Sequence, residues 1–231
     1  MTDAIQAHAK RTNELKAEFS QLSCLPTTPF LIRVHTLIRD QNCKRPDFLF
    51  YADQLIRIAI EFAFETLPYR EKKVITPTNA EFHGLELTKP ICGISVMRAG
   101  EAMEMALRST VREVKIGKIL IQRDENSVNK EAKLFYSKLP ESLPSYTVML
   151  LDPMLASGSS ASLALQVLLD QGVRQEDIIF VTLIAAPEGI RSILAQFPRI
   201  QLVTTFIDDR INEDKFIIPG IGDFGDKYFG T

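Results

Sequence analysis

Residues 148–161 read Val148-Met-Leu-Leu-Asp152-Pro-Met-Leu-Ala-Ser157-Gly158-Ser159-Ser160-Ala161, and this stretch decides the fold. Its apolar start predicts a buried strand that ends at Asp152, and the small residues 156–160 predict a turn that opens a helix. Backbone N–H groups in such a turn can converge on one anion, helped by hydroxyl donors and the positive end of the helix. We therefore expect a cradle for one phosphate group, with Asp152 placed to bind sugar hydroxyls. A Ser/Gly turn that Asp152 merely caps is the alternative.

Short apolar runs alternate with helical segments on both sides of this stretch. The predicted strands are Ile91–Met97, 116–122, Thr147–Leu151, 178–184 and 200–207. The predicted helices between them are 101–109, 160–171 and Pro187–Gln196. This alternation is typical of an α/β fold with a parallel sheet that is covered on both faces. Ligands of such sheets bind beyond the carboxyl ends of the strands.

The sequence before residue 90 predicts helices and one hairpin. A helical spacing of apolar residues runs from 46 until Pro68 stops it, and Pro29–Arg39 predicts a shorter helix. Alternating residues over 80–88 predict a hairpin around His83-Gly84, set apart from the main sheet. We expect residues 1–25 to form a loosely attached arm and residues 26–231 to form a single domain. The polar segment 123–133 predicts a loop.

Two arginines stand at the ends of neighbouring predicted strands. Arg98 follows the run Ile91–Met97 and precedes Ala-Gly, and Arg123 follows the run 116–122. Guanidinium groups bind dianionic oxygen-rich groups such as pyrophosphate through bidentate hydrogen bonds. Each arginine alone would more often be a surface ion-pair partner, but beside a phosphate turn the two together indicate a pyrophosphate site.

The C-terminal segment, residues 216–231, is rich in glycine. Its Gly220-x-Gly-x-x-Gly225 matches the dinucleotide fingerprint in spacing only, because the chain printed here has six residues after Gly225 and the fingerprint needs an acidic residue about 20 positions on. A rigid loop that binds a small planar ring through backbone groups fits the segment better. A plain terminal turn would explain the glycines, but not the seven apolar or aromatic residues in the same segment.

Composition excludes several classes of protein. The 231 residues are 45% hydrophobic and 24% charged, which indicates a globular domain. A formal net charge of −2 gives no global attraction to nucleic acid, and no apolar run approaches the roughly 20 residues of a membrane span. Three scattered cysteines and three scattered histidines predict neither a disulfide framework nor a metal site, and favour a reducing, cytoplasmic location.

Six motifs make the chain resemble the uracil phosphoribosyltransferase family, particularly its eukaryotic and protist-like branch. They are Thr36-Leu-Ile-Arg-Asp40, Met97-Arg-Ala-Gly100, Ile119-Leu-Ile-Gln-Arg-Asp124, the stretch Asp152 to Ser160, Ala185-Ala-Pro-Glu-Gly189, and Pro219 to Gly225 with the ending Tyr-Phe-Gly-Thr231. The resemblance covers about residues 30–231. Any one motif would mean little, but six in this order are specific. Ser157 and Ser159 stand where the family often has Thr and Gly.

The resemblance implies a fold, a reaction and roles for residues. The fold is the type I phosphoribosyltransferase fold, a mainly parallel sheet flanked by helices with a small hood or hairpin. The reaction converts uracil and 5-phosphoribosyl-1-pyrophosphate (PRPP) to UMP and pyrophosphate in pyrimidine salvage. The residues implied for PRPP are Arg98, Arg123, Asp152, Pro153, Met154, Leu155, Ala156, Ser157, Gly158, Ser159, Ser160 and Asp223. Those implied for uracil are Ile217, Ile218, Gly222, Asp223 and Phe224.

Further expectations follow from the same resemblance. Arg98, Arg123, Asp152 and Asp223 are the implied catalytic residues, and segment 123–133 is the implied mobile cover. Mg²⁺ is expected to arrive bound to the pyrophosphate of PRPP rather than at a protein metal site. A cytoplasmic homodimer or homotetramer is expected, with GTP binding as in parts of the family, and with neither nucleic acid nor membrane as a partner. The alternative function is an inactive uracil or UMP sensor, or a partner domain of a kinase.

Overall fold

The computed structural model describes residues 3–123 and 132–231. The helices there are α1 (Asp3–Glu18), α2 (Pro29–Arg39), α3 (Arg45–Phe64), α4 (Glu104–Thr110), α5 (Ser159–Asp170), α6 (Pro187–Gln196) and α7 (Phe224–Phe229). The strands are β1 (Leu22–Cys24), β2 (Tyr69–Ile75), β3 (Glu81–Leu87), β4 (Ile91–Met97), β5 (Lys115–Arg123), β6 (Ala132–Lys138), β7 (Thr147–Leu151), β8 (Met154–Leu155), β9 (Ile178–Val181), β10 (Ile184–Ala185), β11 (Gln201–Thr204), β12 (Phe206–Ile207), β13 (Arg210–Ile211) and β14 (Ile217–Ile218). None of these helices combines the length and apolar character that crossing a bilayer requires.

A mostly parallel sheet with the strand order β1-β11-β9-β7-β4-β5-β6 forms the centre of the described chain. Every neighbouring pair is parallel except β5 and β6. Alternate residues of the central strands enter different cores: Met149 and Leu151 pack with α2, α3 and α4, whereas Val148 and Leu150 pack with α5 and α6. The predicted α/β fold with helices on both faces is therefore confirmed.

Three strands of the main sheet break near their carboxyl ends and resume as a small parallel sheet, β12-β10-β8. The predicted continuous strands 178–184 and 200–207 are therefore wrong. Pro153 has no N–H to donate to a ladder, and its carbonyl instead accepts hydrogen bonds from the N–H groups of Leu183 and Ile184 at 3.0 and 3.1 Å. The break carries the chain from β7 through β8 into the turn 156–160.

The predicted separate hairpin exists, but it is longer than expected. Strands β2 and β3 pair from Tyr69 with Leu87 to Ile75 with Glu81, as a two-stranded sheet of their own. The turn lies over 76–80, where the Thr76 N–H donates to the Ala80 carbonyl at 2.9 Å. The expected turn at His83-Gly84 is wrong, because Gly84 pairs with Lys72 inside the ladder.

The N-terminal residues are packed onto the domain, which corrects the expected loose arm. Strand β1 extends the main sheet by pairing with β11, and Leu15 of α1 is 1% exposed in the core. The imidazole of His8 is buried and stacks on Phe206 with ring centroids 3.7 Å apart. The boundary between an arm and a domain at residue 25 stays a prediction.

Part of the predicted loop 123–133 is strand. Arg123 ends β5, and Ala132 and Lys133 begin β6, which pairs antiparallel with β5 at the edge of the sheet. Residues 124–131 lie outside the described residues, so the mobile cover expected there stays a prediction.

Candidate active site

A cavity of about 270 Å³ lies beyond the carboxyl ends of the central strands. It brings together three separate parts of the chain: Ala99 just after β4, the phosphate turn (residues 156–160) with Met154 before it, and the C-terminal loop around Gly222. Its lining residues are Ala99, Met154, Ala156, Ser160, Lys215, Phe216, Ile217, Gly222, Asp223, Phe224 and Gly225. Distant motifs of the sequence therefore meet at one place.

The phosphate turn has the features of an anion site. Gly158 precedes α5 with a φ of 87°, a conformation that favours glycine, and within the described residues no side chain caps the start of α5. The helix thus offers uncapped N–H groups where its macrodipole is positive. Ser160 lines the cavity, and the hydroxyls of Ser157 and Ser159 lie 3.0 Å apart. This arrangement can hold a phosphate group, as the sequence predicts.

Asp152 directly follows β7 and precedes the phosphate turn. Its carboxylate accepts a hydrogen bond from the Met154 N–H at 3.3 Å. The pKa of Asp152 is raised to about 7, mainly by burial; the hydrogen bond from the Met154 N–H lowers it, and the nearby charge of Asp223 makes a smaller contribution that raises it. The side chain can therefore gain or lose a proton near neutral pH.

The structure describes the side chain of Arg98 but not that of Arg123. Arg98 donates to the Thr231 hydroxyl at 2.5 Å and also binds the carboxylate of Asp226. The hydrogen bond from Arg98 lowers the pKa of Asp226. Arg123 ends β5, but its side chain lies outside the described residues. The pyrophosphate role of both arginines stays a prediction.

The C-terminal loop contains glycines with positive φ, and it ends in a helix, α7, that the sequence analysis did not predict. Gly222 has a φ of 79° and borders the cavity. Asp223 caps α7 by accepting from the Asp226 N–H at 2.9 Å. Phe224 borders the cavity too, but its ring is 1% exposed and packs against Phe48 and Tyr228 at centroid distances of 5.7 and 5.5 Å.

Several predicted residues do not border this cavity. Ser157 and Ser159 line a neighbouring cavity of about 600 Å³, which begins on the outer side of the phosphate turn. Pro153 and Leu155 are buried, and their carbonyls accept from backbone N–H groups of the small sheet. Ile218 pairs with Arg210 in the β13–β14 hairpin, and Asp152 is half-buried behind the turn.

Four residues that line the cavity are absent from the site residues assigned from sequence: Ala99, Gly225, Lys215 and Phe216. The reason is clearest for Lys215 and Phe216. Both belong to the β13–β14 hairpin, whose strands are only two residues long. The signal was the polar turn after Ile211, where the Phe216 N–H donates to the Asn212 side chain at 2.8 Å. Lys215 adds a positive charge that borders both cavities.

Metal ligands near the cavity are few. Within the described residues, no group of three or more His, Cys, Asp or Glu side chains could hold an ion. The carboxylates close to the cavity are Asp223 on its wall and Asp152 behind the turn. Mg²⁺ is often bound through one or two carboxylates together with substrate phosphates, so these residues fit an ion that enters with a phosphorylated substrate.

The comparisons with known families and structures agree with this geometry. A family model described as uracil phosphoribosyltransferase matches residues 25–231. A Dictyostelium discoideum protein named uracil phosphoribosyltransferase is 49% identical over 85% of this chain and 90% of its own. A Saccharomyces cerevisiae protein of the same name is 47% identical over 91% of this chain and 97% of its own.

Among solved structures, the AQ2163 protein from Aquifex aeolicus is similar throughout. It superposes with a TM-score of 0.78 and 27% sequence identity, over 91% of this chain and 98% of the Aquifex chain. The overall fold is therefore similar to that of the Aquifex structure over most of this chain.

Proposed function

The chain belongs to the uracil phosphoribosyltransferase family, and we propose that it transfers the 5-phosphoribosyl group of PRPP to uracil, releasing pyrophosphate and UMP. The observation that carries this proposal is the cavity of about 270 Å³, where the phosphate turn, the end of β4 and the C-terminal loop meet. A sugar phosphate, a leaving group and a base need three such surfaces within one small volume.

PRPP would be held through its 5-phosphate and through its ribose hydroxyls. Its 5-phosphate fits the uncapped start of α5, where backbone N–H groups and the hydroxyl of Ser160 can donate to it. Its ribose hydroxyls would donate to Asp152 in the ionised form. Both contacts fix the anomeric carbon relative to the C-terminal loop, which removes much of the entropic barrier to transfer.

Departure of pyrophosphate leaves an oxocarbenium-like sugar and places negative charge on the leaving group. Arg98 and Arg123 stand at the strand ends where this charge would develop, and preorganised donors stabilise such charge most effectively. Arg98 would exchange its bonds to Asp226 and Thr231 for the pyrophosphate. Mg²⁺ bound to the pyrophosphate would neutralise further charge.

The base would be recognised by the backbone of the C-terminal loop. The edge of uracil presents an acceptor, a donor and an acceptor, which N–H, C=O and N–H groups of residues 217–224 can complement. Cytosine would leave two buried polar groups mispaired, and such mispairing rejects an analogue by orders of magnitude. Excluding water from the same space would protect the activated sugar from hydrolysis.

One assay tests the proposal against its rivals. Purified protein with PRPP, uracil and Mg²⁺ is expected to form UMP and pyrophosphate, detected by chromatography. Hypoxanthine, adenine and orotate serve as matched alternative bases. A protein that binds uracil but releases no pyrophosphate would be a sensor or a kinase-partner domain, and turnover with another base instead of uracil would refute the assignment of the C-terminal loop.

We also propose that the β2–β3 hairpin joins two copies of the chain. Its apolar side chains are 42% to 66% exposed: Val74, Ile75, Phe82 and Leu85. Val74 and Phe82 face each other across the two strands, so they form one apolar surface. An isolated two-stranded hairpin is marginally stable in water and is usually covered by other structure.

The double substitution Val74→Glu and Phe82→Glu is therefore expected to convert a dimer or larger oligomer into monomers in sedimentation velocity. Two carboxylates on this face would have to be buried in the assembly. Lys73→Ala, on the same hairpin with a side chain 65% exposed, is the control and should leave the mass unchanged. A wild-type monomer, or an oligomer that persists in the double variant, would contradict the proposal.

We propose a cytoplasmic location and GTP binding as well, on the basis of family membership alone.

A further inference from the structure

A buried ion pair lies directly behind the C-terminal loop. Asp208 follows β12 and its side chain is fully buried, whereas Arg39, the last residue of α2, is 17% exposed. The pair is bidentate: Arg39 Nη1 lies 2.8 Å from Asp208 Oδ2, and Nη2 lies 2.8 Å from Oδ1. Neither residue is among those that line the cavity.

Both members of the pair also bind backbone groups of Gly220. The Gly220 N–H donates to Asp208 Oδ2 at 2.8 Å, and Arg39 Nη1 donates to the Gly220 carbonyl at 3.1 Å. The four contacts close a ring of charge-assisted hydrogen bonds around one residue of the loop. Nearby, the Asp209 N–H donates to the Ile218 carbonyl at 2.9 Å, which fixes the loop at a second point.

Gly220 occupies a place that no other residue could take. Its φ is 60°, and a Cβ atom there would lie 2.1 Å from the carbonyl oxygen of Ile217. Gly220 stands between Ile217 and Gly222, which both border the cavity. The position of the Gly220 peptide therefore sets the direction in which the neighbouring backbone groups face the base.

We infer that Arg39 and Asp208 are positioning residues for the base, which fix the loop 217–222 in the conformation that recognises uracil. Breaking one partner of a buried ion pair is costly, whereas an apolar replacement of both partners is often tolerated, so such a pair has value where it specifies one conformation. Here that conformation belongs to the loop and not to the phosphate turn, which leads into α5. The inference rests on the proposed transfer to uracil.

The decisive measurement is the separate KM for each substrate in Asp208→Asn. This variant keeps an acceptor for the Gly220 N–H but loses the charge that binds Arg39. We expect the KM for uracil to rise about tenfold or more, as misplacement of a substrate-binding group commonly causes, while the KM for PRPP changes less than about twofold. Asp170→Asn is the matched control, because Asp170 is exposed at the end of α5 and its carboxylate accepts from Gln166 of the same helix at 2.8 Å; it should leave both constants unchanged.

Two further measurements keep the test decisive. If Asp208→Asn does not fold, Arg39→Lys, which keeps the charge but not the bidentate geometry, is judged by the same split between the two KM values. Hydrogen exchange is independent of turnover: residues 217–222 should exchange faster in the folded variant, and residues 159–170 should not. An unchanged uracil KM, an equal rise in both constants, or unchanged exchange in the loop would overturn the inference, whereas a wild-type protein that forms no UMP would refute the proposed function instead.

Discussion

Asp152→Asn is expected to lower kcat/KM for PRPP by roughly a hundredfold, because one well-placed polar group at a reacting sugar commonly contributes that much. The carboxylate of Asp152 stands between β7 and the phosphate turn, where it is proposed to accept hydrogen bonds from the ribose hydroxyls. Asparagine keeps the size of the side chain but presents one acceptor oxygen and an NH₂ donor, so one ribose hydroxyl would meet a donor.

The same residue predicts how activity depends on pH. Burial, and to a lesser extent Asp223, raises the pKa of Asp152 from 3.8 to about 7, so the carboxyl is mostly protonated at pH 6 in the free protein. Only the ionised form can accept from both hydroxyls. For this reason kcat/KM for PRPP is expected to fall about tenfold for each pH unit below 7, and the fall should be absent in Asp152→Asn.

Protein stability should respond to this group in the opposite direction. The folded pKa of Asp152 lies above its ordinary value of 3.8, so the folded state binds more protons between pH 3.8 and about 7. The stabilising contribution of protonated Asp152 is therefore complete below pH 3.8 and is lost as the pH rises through 7. Asp152→Asn removes this dependence, so its melting temperature should gain on the wild type as the pH increases.

Calorimetry gives an independent check of the protonation state. PRPP binding at pH 6.5 should release a proton from Asp152, so the binding enthalpy should vary with the ionisation enthalpy of the buffer. Asp170→Asn, an exposed carboxylate at the end of α5, serves as the control and should keep the wild-type profile. A kcat/KM for PRPP that does not change from pH 5.5 to 8 in the wild type would contradict the raised pKa of Asp152.

The fold was predictable where burial dictates the sequence. Strands that are covered on both faces must be apolar throughout, so β4, β7 and the first parts of β9 and β11 could be identified from composition alone. Strand β6 lies at the edge of the sheet, and most of its side chains are exposed. With only one partner strand and little burial it shows no alternation of apolar and polar residues, and the sequence predicts a loop at its polar start.

Tertiary contacts explain the other errors. Strand β1 has three residues, and only its pairing with β11 makes it a strand. The break after β9 depends on the carbonyl of Pro153, and the break after β11 depends on the carbonyl of Leu183, which accepts from the N–H groups of Thr205 and Phe206. Each carbonyl is distant in sequence from the strand that it interrupts. In the site, the phosphate turn and Gly222 were predictable because their residue types are unusual, but Lys215 reaches the cavity only through a hairpin that local sequence does not specify.

The packing of α6 against the phosphate turn allows no additional atom at Gly189. A Cβ atom there would lie 2.3 Å from the carbonyl oxygen of Ala156 and 2.9 Å from Cγ of Leu155. The first neighbour is backbone, so it cannot rotate away as a flexible side chain would. Either α6 or the phosphate turn has to move, and the turn is the part that is proposed to hold the 5-phosphate.

Gly189→Ala is therefore expected to destabilise the protein although alanine is the better helix former. The helix propensity of alanine favours the variant by about 1 kcal/mol. Overpacking typically costs 1 to 3 kcal/mol, and we expect at least about 3 kcal/mol here because the contact is with backbone. The net loss of about 2 kcal/mol would lower the melting temperature by about 4 to 8 °C.

Displacement of Ala156 in Gly189→Ala should also raise the KM for PRPP about tenfold and leave the KM for uracil nearly unchanged. Gly84→Ala is the matched control, since its Cβ would meet the side-chain ring of Phe82 at 3.0 Å and the nearest backbone atom beyond its chain neighbours, the Lys72 carbonyl oxygen, at an ordinary 3.7 Å; it should keep the wild-type KM for PRPP. A Gly189→Ala variant with wild-type stability and an unchanged KM for PRPP would show that α6 does not hold the phosphate turn in place.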